Sequence, residues 1–264
     1  MLTGLAARVV PCMDIKLGQV VAATGFRSLV KVGEPELVAN DYSLNGADEL
    51  CFLNTSASSL NRSLLYRTIS RIAENCFVPL TVGGGIRKAK DVANLLSAGA
   101  DKVVISSAGV LNLSLVSECA ERYGSQCVVA SVDCKAVNGA WEVYTHGGTR
   151  STGVDALECV HKSVQCGAGE VLLTSIDENG ARGGYDLVLL RTVSELVSTP
   201  VIASGEASDL VSLALAIRDG GASAVLLTSL LHRSKATISQ IKCFLGTCGV
   251  MVRDDYLRYG LYDE

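Results

Sequence analysis

Histidine is scarce in this chain, with three in 264 residues. His146, His161 and His232 stand at no metal-ligand spacing, and no Ser-His-Asp arrangement can be assigned around them. Positive charge is not in excess either. The formal net charge is −4, which argues against a dedicated nucleic-acid binder. No apolar stretch reaches the length of a membrane span, and the first residues lack the basic-then-apolar pattern of a signal peptide. Ten cysteines are present, but without a CxxC pair. They are scattered, and Cys12, Cys51 and Cys127 fall in apolar, strand-like runs where a free thiol behaves as a small hydrophobe. The expectation is a reducing cytosol, with no membrane, no nucleic acid, no structural metal and no cofactor.

What the chain does have is a repeat. The run Cys127 to Val132 is apolar on both faces and ends in Asp133, with Lys135 two residues on. Val9 to Lys16 repeats this, ending in Asp14 and then Lys16. A strand buried on both faces belongs to a parallel sheet covered by helices. Further pairs follow in the same order: GADELCFLNTS with GAGEVLLTSID, VPLTVGGGI with TPVIASGEA, and GADKVVISSA with GASAVLLTSL. Four strands per half make eight, alternating with helical segments, and no linker or low-complexity segment divides the halves. The predicted fold is a single (β/α)8 barrel of α/β class over residues 1–264, built from two half-barrel repeats. An open doubly wound sheet is the runner-up.

The spacing places helices at Glu34–Asn45, Ser59–Glu74, Lys88–Ala98, Leu113–Tyr123, Val154–Cys166, Leu187–Val197, Asp209–Asp219 and Ser234–Leu245. Gly18–Gly33 reads as a long loop, and Asn138-Gly139 between extended flanks reads as a β-hairpin.

In such barrels chemistry sits at the carboxyl ends of the strands. Asp14 and Asp133, on strands one and five, would face one another over the mouth as general acid and general base. Gly83–Gly85, Ser106 and Ser107 follow strands three and four, and Gly205, Glu206, Thr228 and Ser229 follow strands seven and eight. Glycine lets backbone N–H groups approach a phosphate, hydroxyls add donors and the next helix start favours the anion. Two such places suggest a long substrate with a phosphate at each end. The candidate binding set is Gly85, Ser106, Ser107, Gly205, Thr228 and Ser229, with Thr174, Asp177 and Gly180 at and beyond strand six. At the other end, Arg8, Glu49, Lys102 and Glu170 open strands one, two, four and six and would form an ionic ring in the barrel bottom.

CMDIK, LTVGGGI, GADKV, GSQCVV, YTHGG, GAGEVLLTSID and VIASG together resemble the cyclase subunits of imidazole glycerol phosphate synthase, from Arg8 to about Arg253. GSQ with YTHGG separates the chain from the sister isomerase of that pathway. The resemblance implies closure of an imidazole ring from ammonia and a ribulosyl aminoimidazole carboxamide nucleotide with two phosphates. The products are imidazole glycerol phosphate and aminoimidazole carboxamide ribonucleotide. It also implies a heterodimer with a glutaminase subunit docked at the barrel bottom, Asp14 and Asp133 as the acid–base pair, and Arg8, Glu49, Lys102 and Glu170 as an ammonia gate.

The chain departs from the pattern in four places. A loop-one lysine is replaced by Ala22, an aspartate after strand two by Asn54, a glycine by Glu206, and an Asn-Thr pair by Ser106 and Ser107. These bear on rate and affinity more than on reaction type. Two other roles compete: a docking platform and activator of a glutaminase without turnover, and a paralogue using another ammonia acceptor.

Overall fold

The computed structural model describes residues 5–16, 18–24, 28–54, 62–176, 184–205, 207–232 and 235–253. In chain order the first half holds β1 (Arg8–Lys16), β2 (Gln19–Thr24), β3 (Ser28–Gly33), α1 (Pro35–Leu44), β4 (Leu50–Asn54), α2 (Arg62–Ala73), β5 (Leu80–Gly83), α3 (Ala89–Ser97), β6 (Lys102–Ile105), α4 (Ser107–Leu111) and α5 (Leu113–Tyr123). After a 3-10 turn at Ser125–Cys127, the second half opens with β7 (Val128–Val137), β8 (Ala140–Thr145), β9 (Arg150–Asp155) and α6 (Ala156–Gln165). It continues through β10 (Glu170–Ser175), α7 (Leu187–Leu196), β11 (Val201–Ser204), α8 (Leu210–Arg218), β12 (Ala224–Leu227), α9 (Ser229–His232) and α10 (Ile238–Thr247).

Eight of these strands run parallel in the order β1-β4-β5-β6-β7-β10-β11-β12, and β12 pairs β1. The sheet is closed, a (β/α)8 barrel, and the open-sheet alternative falls. Alternation divides the core in two. Val10, Cys12, Cys51, Val104, Val129, Leu172, Ile202, Ala224 and Leu226 fill the barrel. Their sequence neighbours, such as Val9, Met13, Val103, Val128, Leu173 and Val225, pack outward against the helices. Each barrel strand is therefore apolar on both faces, which is the run seen in the sequence.

Several expectations are corrected. Gly18–Gly33 is not a loop: β2 and β3 pair antiparallel, and β2 continues from β1 with Asp14 opposite Val21. The hairpin at Asn138-Gly139 is present, with both residues at positive φ (51° and 83°), the geometry of a tight two-residue turn. It gains a third strand, β9, which takes Val154 and Asp155 from the expected helix. Asp155 then caps α6 by accepting from the Glu158 N–H. The last helix starts at Ile238 rather than Ser234, because Thr237 and Gln240 form a reciprocal capping box there. Cys127 ends the 3-10 turn, just before the strand. All ten cysteines are free.

The barrel is also tied shut by an ion pair that strand patterns do not reveal. Asp48, just before β4, is buried; one oxygen takes the Val9 N–H at 2.8 Å and the other takes Lys242 Nζ of α10 at 2.8 Å. The last helix is thus locked to the first two barrel strands. Lys242→Met is expected to leave a buried carboxylate unpaired and to lower the unfolding free energy by about 3–5 kcal/mol. Adding Asp48→Asn should restore most of it. Urea denaturation of both variants tests this, and a single-variant loss below about 1 kcal/mol would refute the lock.

Candidate active site

Asp14 and Asp133 lie at the carboxyl ends of β1 and β7, which are four places apart in the ring of eight and so diametrically opposed. Both are half-buried, and desolvation raises both carboxyl pKa values, that of Asp14 to about 6. The Thr174 hydroxyl beside Asp133 opposes the rise there. Thr174 sits directly across from Asp133 in the β7–β10 register. Its repeat mate across from Asp14 is Leu53, so the two halves hold their carboxylates differently. The sequence-based set had Thr174 only as a substrate contact. Its contact with Asp133 was readable in principle, because the two residues are equally far along adjacent parallel strands.

The glycine-rich turns fall at the same end. Gly84 is at φ 101°, and a Cβ there would meet the Asn54 carbonyl oxygen at 2.2 Å. Only glycine fits, since the turn packs directly on the end of β4. Gly85, at φ 72°, has open space where a side chain would go. Its carbonyl accepts from Arg62 Nη2 at 3.1 Å, and Arg62 also pairs with Asp91. Asp91 in turn accepts the Arg87 and Lys88 N–H groups at 3.0 and 3.2 Å. Arg62 thereby places a cation and a brace beside this turn, a contribution the sequence reading missed. Ser106 precedes α4 and Ser107 opens it; the Ser107 hydroxyl accepts the His146 N–H at 3.1 Å. That bond docks the YTHGG turn on the strand-four loop. Gly205 follows β11 at φ 146°, Thr228 follows β12, and Ser229 opens α9. Asp177, Gly180 and Glu206 lie outside the described residues.

The four charges at the opposite end close into a ring. Arg8 Nη1 lies 2.7 Å from Glu49 and 2.9 Å from Glu170. Lys102 Nζ lies 2.8 Å from Glu49 and 3.1 Å from Glu170. Glu49, 2% exposed, takes a further bond of 2.5 Å from the Thr81 hydroxyl. Thr81 was not in the sequence-based set. It joins the ring because it shares the inward register of the other members.

No group of three or more potential metal ligands occurs among the described residues, and none of their helices is long and apolar enough to cross a membrane. Compared with known proteins, residues 8–237 match the family described as histidine biosynthesis protein. The chain is also 47% identical over 249 residues to the imidazole glycerol phosphate synthase subunit HisF of Hyphomonas neptunium, covering 94% of this chain and 99% of that one.

The raised Asp14 pKa makes stability depend on pH. Unfolded, the carboxyl titrates near 3.8; folded, near 6. Its contribution is fully favourable below about pH 4 and is lost as pH rises through about 6, where the buried group must ionise. Asp14→Asn should therefore stabilise the fold at pH 8, by up to about 3 kcal/mol, with the gain vanishing toward pH 4. Denaturation midpoints across that range test it, and a gain independent of pH would contradict the burial account.

Proposed function

The chain belongs to the histidine biosynthesis protein family, and from that premise we propose that it is the cyclase subunit of an imidazole glycerol phosphate synthase. It is an ammonia-dependent lyase that makes imidazole glycerol phosphate and aminoimidazole carboxamide ribonucleotide from the ribulosyl bisphosphate nucleotide. The observation that carries the mechanism is the opposed pair of half-buried carboxyls, both raised in pKa, at one barrel mouth. Ring closure by ammonia needs a proton delivered to an oxygen that leaves as water and a proton taken from nitrogen. A carboxyl raised to about 6 can still deliver a proton near neutrality, which suits Asp14 as acid. Burial raises the Asp133 carboxyl too, with the Thr174 hydroxyl opposing the rise, and the complementary role of base falls to Asp133 as the partner across the mouth.

The substrate spans the mouth. Gly85, Ser106 and Ser107 receive one phosphate, and Gly205, Thr228 and Ser229 the other. Thr174, Asp177 and Gly180 complete the site. Arg62, paired with Asp91, braces the turn at the first end, and the Ser107 hydroxyl, accepting from His146, keeps its own hydrogen free to donate.

The ring of Arg8, Glu49, Lys102 and Glu170 gates ammonia delivered by a glutaminase subunit at the barrel bottom. Exposed apolar residues gather on that face: Leu5, Leu44, Phe77 and Met251, of which Phe77 is 92% exposed. An aromatic that exposed is a ready anchor for a partner. Lys102 is the moving member, because a flexible ammonium stem releases more readily than a planar guanidinium.

A second reading, a docking platform without turnover, is favoured by Ala22 at the loop-one lysine position; it predicts no product at all. Ammonium salt at raised pH with the bisphosphate substrate decides between them. The cyclase reading requires turnover without a partner, and Asp14→Asn and Asp133→Asn should each reduce it by about 10² or more while leaving substrate binding largely intact. Full activity in either variant would remove that residue from the mechanism. Lys102→Ala should leave the ammonia-driven rate nearly unchanged but alter the coupling of glutamine hydrolysis to product. Equal loss of both rates with a lowered denaturation midpoint would make the ring a purely structural cluster.

A further inference from the structure

The inference rests on the cyclase reading and adds a residue to it. Strand β1 changes neighbours partway along its length. Its ladder with β12 runs from the Arg8–Ala224 pair to the Pro11–Leu227 pair and stops, at a residue with no amide hydrogen. From Cys12 to Ile15 the strand is in register with β4, and from Asp14 to Lys16 with β2. Asp14 therefore stands beyond the end of the β12 ladder. Yet it must act beside groups on the turn that follows β12, Thr228 and Ser229.

Two contacts at Cys12 span that gap. Its thiol lies beside the Cys51 thiol and the Thr228 hydroxyl, both of which act on its proton. Its carbonyl faces His232 Nε2 at 3.1 Å. A carbonyl only accepts, so Nε2 carries the hydrogen. In a neutral ring Nδ1 is then a bare lone pair, and it faces the Tyr42 hydroxyl of α1 at 2.8 Å, which donates to it. Burial lowers the His232 pKa, with the Cys12 carbonyl opposing, so the ring is neutral at pH 7. Both nitrogens are committed to protein partners, and neither is left to exchange a proton with substrate or to hold a metal. The His232 amide also donates to the Thr228 carbonyl at 3.0 Å. The imidazole and the Thr228–Ser229 turn are thus parts of one short, braced unit.

We propose that His232 is a positioning residue whose imidazole N–H supplies the rung that the β1–β12 ladder lacks, and so sets the place of Asp14 relative to the Thr228–Ser229 turn. Tyr42 holds the tautomer from the helix layer. Chemistry should then depend on His232 more than substrate binding does, because a misplaced catalytic group costs rate even when the substrate is held.

The test compares His232→Leu and His232→Gln in the full chain, with the bisphosphate substrate and ammonium salt, beside denaturation midpoints. Leucine fills the volume without the donor, and kcat should fall by about tenfold or more with KM changed by less than about threefold. Glutamine can donate to the Cys12 carbonyl and accept from Tyr42, and should recover most of the rate. Should the leucine variant fail to fold, His232→Asn replaces it; the amide is then too short to reach Cys12, and the same loss is expected. Wild-type kcat in the leucine or asparagine variant, with only a lowered midpoint, would overturn the proposal, as would equal loss in the glutamine variant. Absence of ammonia-driven product in the wild-type chain would instead overturn the cyclase reading.

Discussion

Closure of the sheet is the constraint from which the rest follows. In a closed barrel each strand turns alternate side chains to one shared interior. Along β1 that interior face reads Arg8, Val10, Cys12, Asp14: ring, core, core, acid. β10 reads Glu170, Leu172, Thr174 in the same manner, and β7 reads Val129, Ser131, Asp133. A shift of one residue in any strand would turn its charges into the helix layer, where nothing pairs them. The site, the inner core and the ring are therefore one register, and the Asp48–Lys242 pair and the Ala7–Val252 bridge secure it where the chain closes on itself.

Much of this was legible in the sequence because it is written in strands buried on both faces and repeated by halves. The aspartates could be placed because each ends such a strand, and the ring members because each begins one. What escaped notice lacks a local signal. The β2–β3 pair is interrupted by glycine and charged residues in a stretch that reads as loop. The helices α4 and α9, of five and four residues, are too short to show a period. His232 and Cys12 lie 220 residues apart, and no spacing rule reaches that far. Arg62 follows a stretch without strong periodicity, and its bond to Gly85 depends on how the turn curls.

The two half-barrels share a backbone plan but not a chemistry. Thr174 supports Asp133 where Leu53 stands beside Asp14. The Gly83–Gly85 turn is braced by Arg62 and Asp91, while the Thr228–Ser229 turn is joined through His232 to the strand that bears Asp14. A duplicated scaffold gives two similar seats, and a reaction that needs an acid in one and a base in the other gains from exactly such divergence of neighbours.

The ring also has an electrical consequence for the far end of the barrel. Its charges alternate in sign around a square, so it is a quadrupole with no net charge, and its field dies away over a shorter distance than that of a lone ion. From Arg8 to Asp14 is roughly 20 Å at the rise of a strand, through valine, leucine, isoleucine, alanine and cysteine side chains. Burial is what raises the Asp14 carboxyl, and a neutral ring that far away adds little to it. The two ends of one barrel are thus nearly independent electrically, and a rearrangement of the ring need not retune the carboxyl at the top.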